Sequence, residues 1–140
     1  MSRAGIAVSR RGLLAIAAAV GVSGCGLSFD DKVANDRYIS VIKQDPMFAW
    51  VPPGNLPREV SYSPMEGQPL ADQYSGVAVA YSVSDAGSIP SLIKLAHDTS
   101  LAKGYDEAGK RNAGGVYIRL SIQASSFTQG FSLVFDAPVS

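Results

Sequence analysis

Val116-Tyr117-Ile118-Arg119-Leu120-Ser121-Ile122-Gln123 is the stretch on which the fold class turns. Aliphatic residues occupy 116, 118, 120 and 122, and amphipathic or polar ones fill the positions between. Successive side chains of a strand point to opposite faces, so this segment predicts a strand with one apolar face and one wet face. Downstream, residues 124–129 turn the chain, and Phe131, Leu133 and Phe135 predict a partner strand. Upstream, residues 105–115 are rich in charge and glycine and read as a surface loop. Gly104 sits where a left-handed helix C-cap belongs. Before it, Ser88 is placed to cap a helix that carries Pro90 in its first turn. Leu92, Leu95, Ala96, Thr99 and Ala102 fall on one side of that helix.

The first half repeats this order of elements without matching residues. Val77, Val79, Tyr81 and Val83 alternate with Ala78, Ala80 and Ser82, and Val60 and Tyr62 predict a shorter strand. Pro64, Gly67 and Pro69 mark residues 63–75 as a long loop. A helix is expected over Lys32–Gln44, capped by Asp31 and ended by Asp45-Pro46. Its apolar face holds Ala34, Tyr38, Val41 and Ile42, with Asp36, Ser40 and Lys43 turned away. Strands linked by short connections favour antiparallel hairpins. The expected fold is therefore α+β, in the order α-β-β-α-β-β. Two helices cover one face of a four-stranded, mainly antiparallel sheet. Roughly a dozen large apolar side chains would converge on the core, enough for independent folding.

Composition narrows the function. The chain has 140 residues, 46% hydrophobic and 17% charged, which fits one folded domain rather than a disordered polyelectrolyte. Formal charge is zero, yet Arg3, Arg10 and Arg11 stand in the first 25 residues with no acid near them. From Cys25 onward, nine basic residues face twelve acidic ones. An acidic body lacks the basic stripe that nucleic-acid binding needs. A single cysteine excludes an internal disulfide framework and a cysteine-rich metal site, and a single histidine leaves no histidine cage. No cofactor or metal site is read.

Residues 1–24 look like an address. Three arginines precede the apolar run Leu13–Val22, and small residues Ser23 and Gly24 follow, as in a secretory signal peptide. The run is shorter than the roughly 20 residues that span hydrocarbon. Val22-Ser23-Gly24-Cys25 resembles the lipobox of bacterial lipoproteins. That resemblance covers the leader and the cysteine only. It implies cleavage between Gly24 and Cys25, a diacylglyceryl group on Cys25, and transient handling by the lipoprotein maturation and export machinery. It places the protein on the outer face of the cytoplasmic membrane. In a Gram-negative host the outer membrane is the destination, since Gly26 is not the aspartate that retains some lipoproteins. The alternative is an ordinary signal peptide that leaves Cys25 a free thiol. Ser9-Arg10-Arg11-Gly12-Leu13-Leu14 resembles a twin-arginine export signal, with Leu13 where an aromatic is commonest. Residues 25–30 would be a lipidated tether of at most roughly 17 Å, and 31–140 the domain. A diacylglyceryl cysteine gives lasting attachment, because one acyl chain alone binds marginally.

Within the domain, candidate chemistry is sparse. His97 has Asp98 beside it but lies opposite the apolar helix face, which reads as a solvated histidine; a hydrolase built on it would still need a nucleophile and an oxyanion site. Asp106, Glu107, Lys110 and Arg111 read as a solvated loop. Met47-Phe48-Ala49-Trp50-Val51-Pro52-Pro53 is more suggestive. Its aromatic residues beside rigid prolines either plug the core edge or present a contact for a peptide, a sugar or a partner. Tyr117 and Arg119 are the large groups on a wet sheet face otherwise made of Ser61, Ala78, Ala80, Ser82, Ser121, Gln123 and Ser132. This face is either solvated or a docking surface. The overall expectation is a lipid-anchored, non-enzymatic envelope protein for interaction or structural support. The alternative is a binding module for a small envelope ligand that uses the Phe48/Trp50 loop or the open sheet face.

Overall fold

Alternating residues do build the sheet. The structure, a computed structural model, describes residues 28–65, 73–125 and 128–139. Arg10, Arg11, the segment from Val22 through Gly24 and Cys25, and residues 66–72 and 126–127 lie outside the described residues. The elements are α1 (Phe29–Asn35), α2 (Arg37–Lys43), β1 (Arg58–Ser63), β2 (Tyr74–Ser82), a 3-10 turn (Ala86–Ser88), α3 (Ile89–Ala102), β3 (Lys110–Ala113), β4 (Val116–Ala124) and β5 (Gly130–Pro138). The five strands form one antiparallel sheet in the order β1-β2-β5-β4-β3. The α+β class stands, with five strands and three α-helices in place of four and two.

Register puts the apolar positions on one face. Val79 pairs with Leu133 and Leu133 with Ile122, while Val77 pairs with Phe135 and Phe135 with Leu120. Val77, Val79, Tyr81, Ile118, Phe131, Leu133 and Phe135 are buried there, with Tyr38, Ile39 and Ile42 of α2 and Ala96 of α3. Helix α2 packs on β2, β5 and β4, and α3 on β4 and β5. Tyr81 stacks on Phe131 with ring centroids 5.2 Å apart.

The additional strand overturns the reading of 105–115 as a loop. Lys110–Ala113 pairs with Val116–Arg119 through a two-residue turn, Gly114-Gly115. Both glycines have positive φ, 63° and 97°, which the tight hairpin turn requires and other residues resist. Arg111 is likewise not a solvated loop residue. Its Nη1 donates to Asp45 Oδ2 at 2.9 Å, and the Asp45 side chain is 0% exposed.

The expected helix 32–44 is two helices. Asp36 takes an extended conformation (φ −80°, ψ 113°) and caps α2, with Oδ1 accepting from the Tyr38 and Ile39 amides. Its Oδ2 accepts from Ser75 Oγ at 2.6 Å and from the Met65 amide at 3.1 Å. Asp36 is thus buried rather than turned to water. The break resets the helical phase, so Ala34 is exposed and Ile39 is buried. Asp31 lies inside α1, where its amide donates to Ser28 Oγ. In α3 the buried face runs through Ala96 and Ser100, with Ile89, Leu92 and Ile93 half-buried, while Leu95 is 40% exposed. Ser100 is tolerated inside because its hydroxyl donates to the His97 carbonyl. Ser88 does not cap α3 with its side chain, which donates to the Asp85 carbonyl. Gly104, at φ +101°, ends α3 as expected.

Candidate functional site

Among the described residues, the sheet face away from the core brings together exposed aromatic and cationic groups. β4 presents Tyr117 and Arg119 there, as its alternation requires. β3 adds Lys110, whose register partner is Arg119. Like charges directly across a strand pair repel. Asp136 on β5, the partner of Arg119 on its other side, offsets this, with 3.7 Å between Arg119 Nη2 and Asp136 Oδ2. The opposite position on β2 is Gly76, which leaves room for the Asp136 side chain. The Arg119 guanidinium lies over the Tyr74 ring, 4.9 Å from its centroid, a contact worth about 0.5–1 kcal/mol at an exposed site.

Tyr74 is 41% exposed and Tyr117 59% exposed. With Lys110, Ile118, Arg119 and Pro138 they line a depression of about 330 Å³. A second depression of about 370 Å³ adjoins it through Tyr117 and Pro138, and Arg37 and Tyr38 reach it from α2. Arg37 is set in place by Tyr38, donating to its hydroxyl at 2.6 Å and lying over its ring. Rigid, partly exposed tyrosines flanked by cations suit a ligand that is flat or apolar on one side and anionic on the other. Sequence reasoning named Tyr117 and Arg119 but missed Tyr74 and Lys110, which it assigned to loops. The Gly-Gly pair before Val116 was the signal that could have found β3 and with it Lys110.

Phe48 and Trp50 lie elsewhere, at the edge of the core. Phe48 meets Phe135 edge-on at 6.3 Å, and Trp50 meets Tyr81 edge-on at 6.4 Å. Both are half-buried. Arg58 covers Phe48, 4.8 Å from the ring centroid, and donates to the Phe48 carbonyl. The Tyr81 hydroxyl donates to the Trp50 carbonyl. These two side chains chiefly close the core, and a groove of about 400 Å³ with Val51, Pro52 and Leu56 remains beside them.

His97 is exposed, with Nε2 3.8 Å from Glu107 Oε1. The Ser100 hydroxyl proton is committed to the His97 backbone carbonyl rather than its ring. Asp98 pairs with Lys94 at 2.8 Å, one helical turn back. That hydrogen bond holds the Asp98 carboxyl below its ordinary range and the Lys94 ammonium above its own. Near the buried Asp45 carboxylate, Tyr105 is also buried. Burial first, and then the Asp45 carboxylate, push its phenol well above its ordinary value. Among the described residues, no group of three His, Cys, Asp or Glu side chains is placed to hold a metal. Nor is any helix among them long and apolar enough to cross a membrane. No protein-family model, curated protein or solved structure matches this chain.

Proposed function

We propose that this protein is a lipid-anchored component of the bacterial cell envelope, held at the outer face of the cytoplasmic membrane through a diacylglyceryl group on Cys25. In a host with two membranes the outer one is the destination. The folded part acts as an interaction or structural module rather than an enzyme. One observation carries the module reading. Helices α2 and α3 pack on one face of the sheet, and the other face displays Tyr74, Lys110, Tyr117 and Arg119 around a depression. The anchor reading is supported by the charged leader, the apolar run and the Val22–Cys25 box. Intact mass of the protein extracted from membranes tests the anchor. The expected mass is that of a chain beginning at Cys25 plus diacylglyceryl, and a Cys25→Ala protein should leave the membrane fraction. Free solubility of the native protein defeats the proposal.

A second reading draws on the groove beside Trp50. Its volume and its apolar lining suit a small envelope ligand. Trp50 is the sole tryptophan, so its emission reports on this groove alone. A red-shifted, water-quenched emission keeps the groove as a binding site, and a blue, shielded emission discards it.

A further inference from the structure

We propose that β1 is the contact edge of a symmetric dimer, in which a second copy of this chain adds its own β1 antiparallel to the first, centred on Val60. The contact needs neither the anchor nor the open sheet face. Three observations support it.

The first is an edge with free backbone groups. β1 is an outer strand of the sheet. The Ser82 amide donates to the Pro57 carbonyl, so in the continuing ladder Glu59, Ser61 and Ser63 bond to β2. The N–H and C=O groups of Arg58, Val60 and Tyr62 therefore point away from the sheet. Among the described residues no hydrogen bond reaches these backbone groups.

The second is the contrast with the other edge. Sheet edges resist pairing through short length, prolines, bulges, lysines and inward-pointing charges. β3 has four residues, carries Lys110 and sends Arg111 inward to Asp45. β1 has six, pairs with β2 without a bulge and holds no proline. Val60 and Tyr62 are half-buried on its core-side face. Helices α2 and α3 pack mainly on β2, β5 and β4, so β1 stands beyond that cover. A second copy that brings its own Val60 and Tyr62 continues the apolar face past the edge.

The third is register. A two-fold axis normal to the sheet keeps each face continuous and makes the contact self-complementary. Centred on Val60, it sets Val60 opposite Val60 and Arg58 opposite Tyr62, so the outward N–H groups of these residues meet carbonyls. On the other face Glu59 stands opposite Ser61, whose hydroxyl can donate to the carboxylate. Neighbouring registers are worse. One sets Glu59 against Glu59 and another Arg58 against Arg58, like charges that repel across a strand pair. Sliding the other way brings Pro64 opposite Arg58, and proline has no N–H to give. The nearby cations are already placed within their own chain, Arg58 over Phe48 and Lys43 over Tyr62. A ladder of this length is a small interface, so the dimer is weak, with a dissociation constant on the order of micromolar or higher.

The test uses the protein as purified from the expressing cells, in detergent. Sedimentation should show concentration-dependent dimers between micromolar and submillimolar protein. Val60→Lys sets two ammonium groups opposite each other and Val60→Glu two carboxylates, so each variant alone should dimerise about tenfold more weakly. An equal mixture of the two should restore the dimer. Val60→Cys should oxidise to a dimer linked at position 60, because residues directly opposed there lie within disulfide reach. Lys110→Cys, on the β3 edge, should form no 110–110 link. A parent that stays monomeric overturns the proposal, including one that is monomeric alone and takes a different protein on β1. Dimers that survive Val60→Lys unweakened overturn it, as does a mixture of folded variants that stays monomeric. Should the charged variants fail to fold, the cysteine protein decides: a 60–60 link supports the proposal and its absence overturns it.

Discussion

The two faces of this sheet are made by the same strands and differ by one position in register. On β5, Leu133 and Phe135 are fully buried under the helices, while Val134 and Asp136 beside them are half-exposed. On β4, Ile118 is fully buried and its neighbour Arg119 is exposed. One face is a close-packed interior in which each methylene matters. The other is a display surface whose side chains answer to solvent and to whatever approaches from it. Stability and function are therefore expected to separate cleanly by face. Substitutions on the covered face should cost folding free energy, and substitutions on the open face should cost binding.

The comparison can be broken most severely in the core. Phe135→Ala should lose about 3–5 kcal/mol in urea unfolding, since it leaves a ring-sized cavity against Phe48 and Leu120. A loss no larger than that of an open-face residue would end the distinction. Asp45→Ala should cost about 3 kcal/mol, because it removes a fully buried carboxylate that holds the half-buried Arg111 guanidinium and accepts from the Met47 amide. Gly130→Ala should cost about 1–3 kcal/mol, because a Cβ there would collide with the Tyr81 carbonyl across the β2–β5 ladder. Ser121→Ala and Tyr117→Ser, on the open face, should stay within about 0.5 kcal/mol of the parent.

Tyr105 sharpens the same contrast through pH. Its phenol keeps its proton in the folded protein at pH values where the unfolded chain releases it. The unfolded state then binds fewer protons, so stability is undiminished below the ordinary tyrosine value of 10.0 and falls as pH rises above it. A Tyr105→Phe protein should lose that part of the alkaline decline in urea midpoint.

Much of the architecture was legible because a strand with one buried face writes its period into the chain. The alternations at 77–83, 116–123 and 131–135 became β2, β4 and β5 with the expected inward residues. The helix at 89–102 was legible as an element, but its buried side was not. A helical wheel has no knowledge of tilt, and Ser100 passes for polar until its hydroxyl finds the His97 carbonyl. Asp36 and Asp45 were misjudged or overlooked for a related reason. A carboxylate looks like surface until the fold supplies buried donors, here Ser75 Oγ for one and Arg111 for the other. The site was half legible: Tyr117 and Arg119 follow from strand parity, and Lys110 follows from a local hairpin whose Gly114-Gly115 turn reads as a loop, whereas Tyr74 joins them only through the pairing of β2 with β5 and of β5 with β4.

Local order thus came from the chain alone: which segments are strands, where Gly104 ends a helix, and that one face of β4 is wet. Those properties depend on neighbours within a turn or two of backbone, so composition and period carry them. The buried carboxylate clamps and the meeting of Tyr74 with Arg119 depended on tertiary structure. They join residues dozens of positions apart, and only closure of the sheet decides which of those residues meet.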